Sequence, residues 1–417
     1  MIDKATLRQK KQTDKVDYIF VFTLFVFLTG AGLFGFFSTL MFLIVGGFYV
    51  VLNFKYALAA YKNNWFIFMF GLVGVLSVFW AEYPLAALRT AIQYLLTVGI
   101  FLVIIYCVNI DVLFKAISTA MLLVMVFNVF SSQTVEIAFT GEVVKVGYFG
   151  SKNNMALVAG FAALSGLGVF MFRASMIARI LAGTCVFLSL ITFFQARSLG
   201  SSLSLALVII LSITLFMYSR AGLLNAVKSN INFFCFLAFI FLVFFIVLLF
   251  DYSVYESFMY GLGKDPTITG RTNIWAIGFE SIGAHPILGV GQSSYWNLKN
   301  IGALEIWEMT HREEGSPFGF HNQYIHTYVE LGLFGFLAVS LVFIKLFIAI
   351  NTLILKEMRA IDIVVMSFFL VIFLKSFFET VGFSPFSLST FFLCLSWVHM
   401  RRSSFYDKPA CIKLRLN

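Results

Sequence analysis

Four short stretches of this chain collect the residue types that act on anions or on hydroxyl groups. Gly147-Tyr-Phe-Gly-Ser-Lys-Asn-Asn carries Lys152 and Asn153. Gln195-Ala-Arg-Ser-Leu-Gly-Ser carries Arg197. Asp265-Pro-Thr-Ile-Thr-Gly-Arg-Thr-Asn-Ile-Trp carries Arg271 and runs on to His285-Pro286 and Gly289-Val-Gly291. Gly319-Phe-His-Asn-Gln-Tyr-Ile-His-Thr-Tyr-Val-Glu carries His321, Asn322, His326 and Glu330.

Each stretch admits a structural and a chemical reading. Lys152 opens a helix at the membrane surface, with Asn154 as its cap. It either snorkels there or aims a cation at an anionic ligand. Arg197 keeps its charge at any accessible pH. It lies in a tight turn, and there it either meets a lipid phosphate or lines a cavity that holds a phosphate. Arg271 falls in the first turn of a helix that starts at Thr269 or Gly270 and stops at His285-Pro286. The N–H groups of such a turn already favour anions, although a plain surface arginine fits as well. The stripe Ile274, Trp275, Ile277, Phe279 and Ile282 suits a helix lying on the membrane. His321 precedes a span and has the chemistry of a general base, while an interfacial histidine beside a structural cap at Asn322 remains open. Glu330 and His326 are spaced i, i+4 and share a helix face. The spacing of His321, His326 and Glu330 matches no metal-site pattern, so no metal is assigned and no cofactor is called for.

These residues need elements to hold them, and composition says which. Hydrophobic residues make up 60% of the 417 residues, charged residues 12%, and Phe alone supplies 53 positions. A soluble fold cannot hide that much apolar surface, so the solvent is lipid. Apolar runs lie near 18–37, 39–54, 65–81, 91–108, 113–131, 154–172, 180–196, 202–218, 231–250, 326–352, 361–381 and 384–400. That makes an all-α polytopic membrane protein with about twelve transmembrane helices. The first pair reads as a hairpin turning near Ser38.

The cations set the orientation. With the N-terminus inside, most of the 29 Lys and Arg fall on the cytoplasmic side, as the positive-inside rule requires. The C-terminus is then inside as well. The net charge of +9 is thereby accounted for by topology, with no nucleic acid as partner. A minority of cations breaks the trend on the outer side: Arg89, Lys152, Arg197 and Arg271 among them. Lys345 and Lys375 fall inside spans. The chain divides into helices 1–9 over 1–250, one large outer loop over 251–325, and helices 10–12 with a cytoplasmic tail over 326–417. The five cysteines avoid the large loop, which leaves no disulfide framework.

Taken together and in order, the four stretches resemble the O-antigen ligase / Wzy-type polysaccharide polymerase superfamily. The resemblance covers roughly residues 140–345. It rests on Gly147, Phe149, Lys152 and Asn153; on Ala196-Arg197; on Thr269-Gly-Arg-Thr-Asn-Ile-Trp275 with His285-Pro and Gly289-Val-Gly291; and on His321-Asn-Gln-Tyr324 with Glu330-Leu-Gly-Leu-Phe-Gly335. The Asp265…Gly270-Arg271…Trp275 version is most like exopolysaccharide polymerases. The resemblance implies a metal-independent, inverting glycosyltransferase of the GT-C class in the bacterial inner membrane, with a periplasmic active site. It implies undecaprenyl-pyrophosphate-linked glycan as donor, and a glycan or lipid A core hydroxyl as acceptor. A chain-length regulator and a flippase are the protein partners it points to. His321, Arg271 and Arg197 would be catalytic. Lys152, Arg89, Asn153, Asn322, His326 and Glu330 would bind substrate. An O-antigen ligase joining finished glycan to lipid A core is the alternative within the family. A protein O-oligosaccharyltransferase is further off. A lipid-linked glycan transporter is the alternative of a different class, with Lys345 and Lys375 as relay or substrate sites.

Overall fold

The computed structural model describes residues 4–136, 143–220, 270–316, 318–355 and 358–405. The span expected at 231–250 and the Asp265–Thr269 part of the third stretch lie outside the described residues. Helix α1 (Lys4–Thr29), the one-turn α2 (Ala31–Phe34) and α3 (Phe36–Leu52) form the expected hairpin. Its turn falls at 30–35, not at Ser38, because Gly35 supplies a left-handed residue, φ +54°. Buried Ser38 instead donates to the Phe27 carbonyl at 2.7 Å and fastens the two arms. Helix α4 (Phe54–Asn63) leaves α3 at a bend of 98°. Helix α5 (Met69–Leu76) stands between two short 3-10 turns.

The next helices have readable starts. Pro84 opens α6 (Pro84–Cys107) at the position where a missing N–H costs nothing. Asp111 sits in the first turn of α7 (Ile110–Phe130), where a negative charge is favoured. Ser151 and Ser175 cap α8 (Lys152–Phe170) and α9 (Met176–Gln195) with their side chains. The cap of α8 is therefore Ser151; Asn154 gives its backbone N–H to it and its carboxamide to the Phe149 carbonyl. Helix α10 (Leu199–Arg220) follows α9 after a three-residue turn. Between α7 and α8 the all-α expectation meets one exception. Strands β1 (Thr134–Glu136) and β2 (Val143–Lys145) pair antiparallel, Val135 opposite Val144, because β-branched residues favour extended backbone.

Two helices of the long loop, α11 (Arg271–Ala284) and α12 (Ile301–Met309), precede α13 (Gln323–Leu355), α14 (Ala360–Ser376) and α15 (Leu388–Phe405). Among the described residues, six helices are long and apolar enough to cross a membrane, or seven if the bent α3–α4 pair is one span. The chain is thus a helical, multi-pass membrane protein. Helix α8 is an inner helix, with 72% of its apolar window buried, against 22% for α9 and 29% for α10. Helix α14 is also inner, with Val365, Phe368, Phe369 and Ile372 on successive turns all within the core. Phe368 stacks on Phe392 of α15 with centroids 3.9 Å apart. Small residues allow the close approach of α8 and α9. A side chain at Gly166 would overlap Val186 and the Ala182 carbonyl. Whatever polar group α14 carries is consequently brought to the middle of the bundle.

The loop makes its own small core. Ile274 and Ile277 of α11 pack with Tyr295, Trp307, Phe320, Ile325 and Val329. The inner part of the α11 stripe therefore meets protein, and only Phe279 among its large residues is well exposed. The loop is locked to α13 where that helix breaks. Gly332 leaves helical geometry (φ 60°, ψ −155°), and the chain at 286–291 lies directly on the break. Gly291 N–H donates to the Glu330 carbonyl at 2.8 Å, and Leu333 N–H to the Ile287 carbonyl at 3.1 Å. Side chains at Gly289 or Gly332 would overlap backbone of the opposite segment. Gly332→Ala is accordingly expected to destabilise the protein by at least about 2 kcal/mol from backbone strain alone. A fall in the apparent Tm of the purified protein relative to Gly47→Ala, where an added Cβ meets nothing within 4 Å, would show it.

Candidate active site

The site forms where five separate segments meet at one end of the bundle. Its centre is Glu379, in the turn that follows α14. Helix α14 ends at Ser376, and the Phe378 and Glu379 N–H groups both donate to the Lys375 carbonyl, at 2.9 and 2.8 Å. Asn322 caps α13 with its side-chain oxygen, 2.9 Å from Tyr324 N and 3.1 Å from Ile325 N. Its amide donates to the Phe377 carbonyl at 3.2 Å. The start of α13 and the turn bearing Glu379 are thus fixed to one another.

Three side chains converge on the Glu379 carboxylate. Arg271 Nη2 and Asn153 Nδ2 each donate to Oε1 at 2.6 Å. His321 Nδ1 lies 3.0 Å from Oε2. Asn153 Oδ1 in turn accepts from Ser198 Oγ at 2.7 Å. The hydroxyls of Ser198 and Ser201 are 2.9 Å apart, and Lys375 Nζ donates to Ser201 Oγ at 2.8 Å. Lys375 is 2% exposed. A continuous polar path therefore runs from Lys375 through α10 and α8 to Glu379, and from there to Arg271 and His321. Burial pushes the Glu379 carboxyl up, but His321 and Arg271 beside it, with Lys375 behind, outweigh burial. They hold it well below the usual carboxylate range.

This arrangement assigns protons. A carboxylate only accepts hydrogen bonds, so His321 presents Nδ1–H to Glu379 and leaves the Nε2 lone pair free. That is the relation of an acid to a general base in hydrolytic triads, where the carboxylate orients the imidazole and stabilises the imidazolium. The ring is a third exposed and faces Phe318 edge-on at 5.4 Å. His321 also holds a left-handed backbone, φ +50°, as does Arg197 at φ +46°. For non-glycine residues this costs on the order of 1 kcal/mol or more and gathers at functional sites.

The other residues singled out by the sequence take several places. Gly270 caps α11 with φ +78°, so Arg271 is its first helical residue, and His285 ends it. Arg271 gives one amino group to Glu379; its other four N–H donors make no hydrogen bond among the described residues and can face a ligand. Arg197 is exposed in the turn whose next residue, Ser198, holds Asn153. It makes no ion pair among the described residues. Lys145, on β2, donates at 2.9 Å to both Val129 O and Gln195 Oε1, and so ties the strand pair to the end of α9 just before Arg197. Lys152 opens α8 beside Asn153. His326 and Glu330 share a face as expected, with Nε2 3.8 Å from Oε2. Half-buried His326 and buried Glu330 form a separate pair and do not join His321; His326 Nδ1 has no hydrogen-bond partner among the described residues. Arg89 is exposed near the start of α6 and has no ion pair among the described residues.

Sequence reasoning missed Glu379, and it placed Lys375 only as a relay or substrate site of a transporter. The signal for both was present. Lys375 and Glu379 are i, i+4 in the apolar run at 361–381, and an ionisable residue in such a run marks a functional site with a partner to be found.

Comparison with known proteins adds likenesses in sequence. Residues 184–340 match the family described as O-antigen ligase. That stretch contains Arg197, Arg271 and His321, while Asn153 and Glu379 lie on either side of it. The chain is also 26% identical over 362 residues to the exopolysaccharide production protein ExoQ of Rhizobium meliloti (strain 1021). The match covers 82% of this chain and 78% of that protein. With the ordered stretches, these matches make the chain similar to the O-antigen ligase / Wzy-type polymerase superfamily across its middle part.

Proposed function

We propose that the chain is an inner-membrane glycosyltransferase of the GT-C class that polymerises exopolysaccharide or O-antigen repeat units. Twelve spans, a periplasmic site and both termini in the cytoplasm complete the reading. The observation that carries it is the Glu379 carboxylate, which joins a general base, His321, to a fixed cation, Arg271. The donor is glycan on undecaprenyl pyrophosphate. His321 Nε2 takes the proton of the acceptor hydroxyl as its oxygen bonds to the anomeric carbon, and Glu379 steadies the resulting imidazolium. The bond from that carbon to the pyrophosphate breaks on the opposite face, which inverts the centre. The departing dianion needs positive charge, which Arg271, Arg197 and Lys152 supply in the place of a metal.

The test has two arms. In a deletion strain, wild type restores long glycan, whereas Arg271→Ala at equal membrane levels gives about 10²-fold less. Loss of the gene leaves single repeat units if it encodes a polymerase, and long chains on the lipid carrier if it encodes a ligase. In the second arm, purified protein converts lipid-linked oligosaccharide without any gradient. Movement between leaflets with no new glycosidic bond would establish transport and end the enzyme reading. The structure favours the enzyme on one point: Lys345 stacks over Phe66 at 4.5 Å and Lys375 belongs to the Glu379 network, so neither stands alone as a relay group.

Arg197 provides a graded check. Because its exposed guanidinium makes no ion pair among the described residues, Arg197→Ala is expected to be about ten- to a hundredfold slower with the fold intact. Arg197→Lys recovers only part of the rate, because a point charge replaces a planar fork. The measurement is initial rate against donor concentration.

A further inference from the structure

A second site lies at the opposite end of the bundle. The Glu379 cluster is at the N-terminus of α8 and the C-terminus of α9. A cavity of about 190 Å³ opens at the C-terminus of α8 and the N-terminus of α9. The 19 residues of α8 set the two about 28 Å apart, one hydrocarbon thickness. Tyr18, Lys115, Ser118, Thr119, Ser175 and Leu181 are among the residues lining this cavity.

Three independent features of its floor call for an anion. Lys115 brings a cation; its one partner, Asp111 at 3.2 Å, is itself 40% exposed, and such a surface i, i+4 pair is easily exchanged. Helix α9 starts here. Ser175 satisfies the N–H of Ala178 at 3.3 Å, which leaves the earlier N–H groups of that first turn for a ligand. Ser118 is 2% exposed and lines the cavity, and its hydroxyl meets only the Cys185 thiol, a weak partner, among the described residues. A buried hydroxyl in that condition is a group waiting for an acceptor.

The rim identifies the class of ligand. Met176, Ile177 and Ile180 are 72%, 72% and 55% exposed, an apolar strip that continues outward along α9. Arg173 and Arg179 stand exposed beside it. The cavity is smaller than the roughly 300 Å³ at which small-molecule pockets begin, and holds about six waters' worth of liquid. It has room for a phosphodiester headgroup and none for a glycan. We propose that it binds the phosphate headgroup of an anionic phospholipid, with the acyl chains along α9, in the leaflet opposite the candidate active site. The rule that basic pockets between spans recruit anionic lipid on the cytoplasmic side agrees with this placement.

The test uses the purified full chain, stripped of lipid in detergent and titrated separately with phosphatidylglycerol, phosphatidylcholine and inorganic phosphate. Native mass spectrometry counts bound lipid, and the apparent Tm reports its effect. Phosphatidylglycerol is expected to bind one per chain, at concentrations at least about tenfold below phosphatidylcholine, and to raise the Tm. Lys115→Gln should weaken that binding about tenfold. Ser118→Val, which fills the floor, should remove it, and Lys62→Gln, an exposed cation elsewhere, should change nothing. If Ser118→Val does not fold, Lys115→Gln decides, since its side chain is 25% exposed. Unchanged binding in Lys115→Gln would overturn the site, as would equal retention of phosphatidylcholine. Inorganic phosphate raising the Tm as much as lipid would replace the lipid with a soluble phosphoryl ligand.

Discussion

Glu379→Gln is expected to cut glycan transfer by about 10³-fold or more while the protein still inserts and purifies. The magnitude follows from the role of a carboxylate behind a histidine base, where the amide favours the wrong tautomer and slows catalysis by several orders of magnitude. Here the amide also presents a donor to a place where Arg271 and Asn153 already donate. Glu379→Ala has a second effect. It leaves Arg271 and Lys375 facing one another with no acid between them, and breaking a buried ion pair costs about 3–5 kcal/mol. The acid limb of stability separates the two roles. Glu379 is depressed in the folded state, so its contribution is complete at neutral pH. That contribution drains away as the pH falls from the ordinary carboxyl value of 4.5 towards the lower folded one. The Tm difference between wild type and Glu379→Gln should thus be constant near pH 7 and shrink below about pH 4.5. A difference that stays the same at pH 3.5 would remove Glu379 as the ionised centre of the cluster.

His321→Ala is the second large expectation. Removing a general base typically costs 10²–10⁴-fold. Because the hydroxyl of a sugar is a weak nucleophile, the upper part of that range applies. Donor binding, measured by protection of the purified protein against heating with lipid-linked oligosaccharide, should persist, since Arg271 and Arg197 remain. Normal glycan banding from well-expressed His321→Ala would remove it as the base.

Much of this was legible in residue types. The helix from Arg271 to Ala284 could be bounded from Gly270 and His285-Pro286, since a left-handed glycine and a proline are local signals. The i, i+4 pair of His326 and Glu330 followed from helical period alone. What could not be read was long-range. Nothing near Glu379 states that its partners are Asn153, Arg271 and His321, because such contacts depend on which helices are inner. Helix α14 looks like any apolar span until Phe368 and Phe392 show it at the centre of the bundle. The meeting of Gly289 with Gly332 was likewise hidden. Each glycine reads as a flexible turn by itself, and only their mutual approach shows that two motifs make one joint. The cap of α8 shows the local limit: with Ser151, Asn153 and Asn154 adjacent, three good capping residues compete, and tertiary contacts claimed Asn153 for Glu379.

The pairing of Arg271 with Glu379 spans 108 positions of chain, and this bears on how the protein is made. A ribosome delivers Arg271, and then His321, well before the acid that organises them. On the proposed function, catalytic competence arrives late in translation, with α14 and α15. On the same reading, a nascent chain that stalls before α14 would hold earlier helices in the bilayer without the Glu379 carboxylate, as an inert intermediate. Supplying those two helices as a separate polypeptide offers a way to switch activity on after insertion.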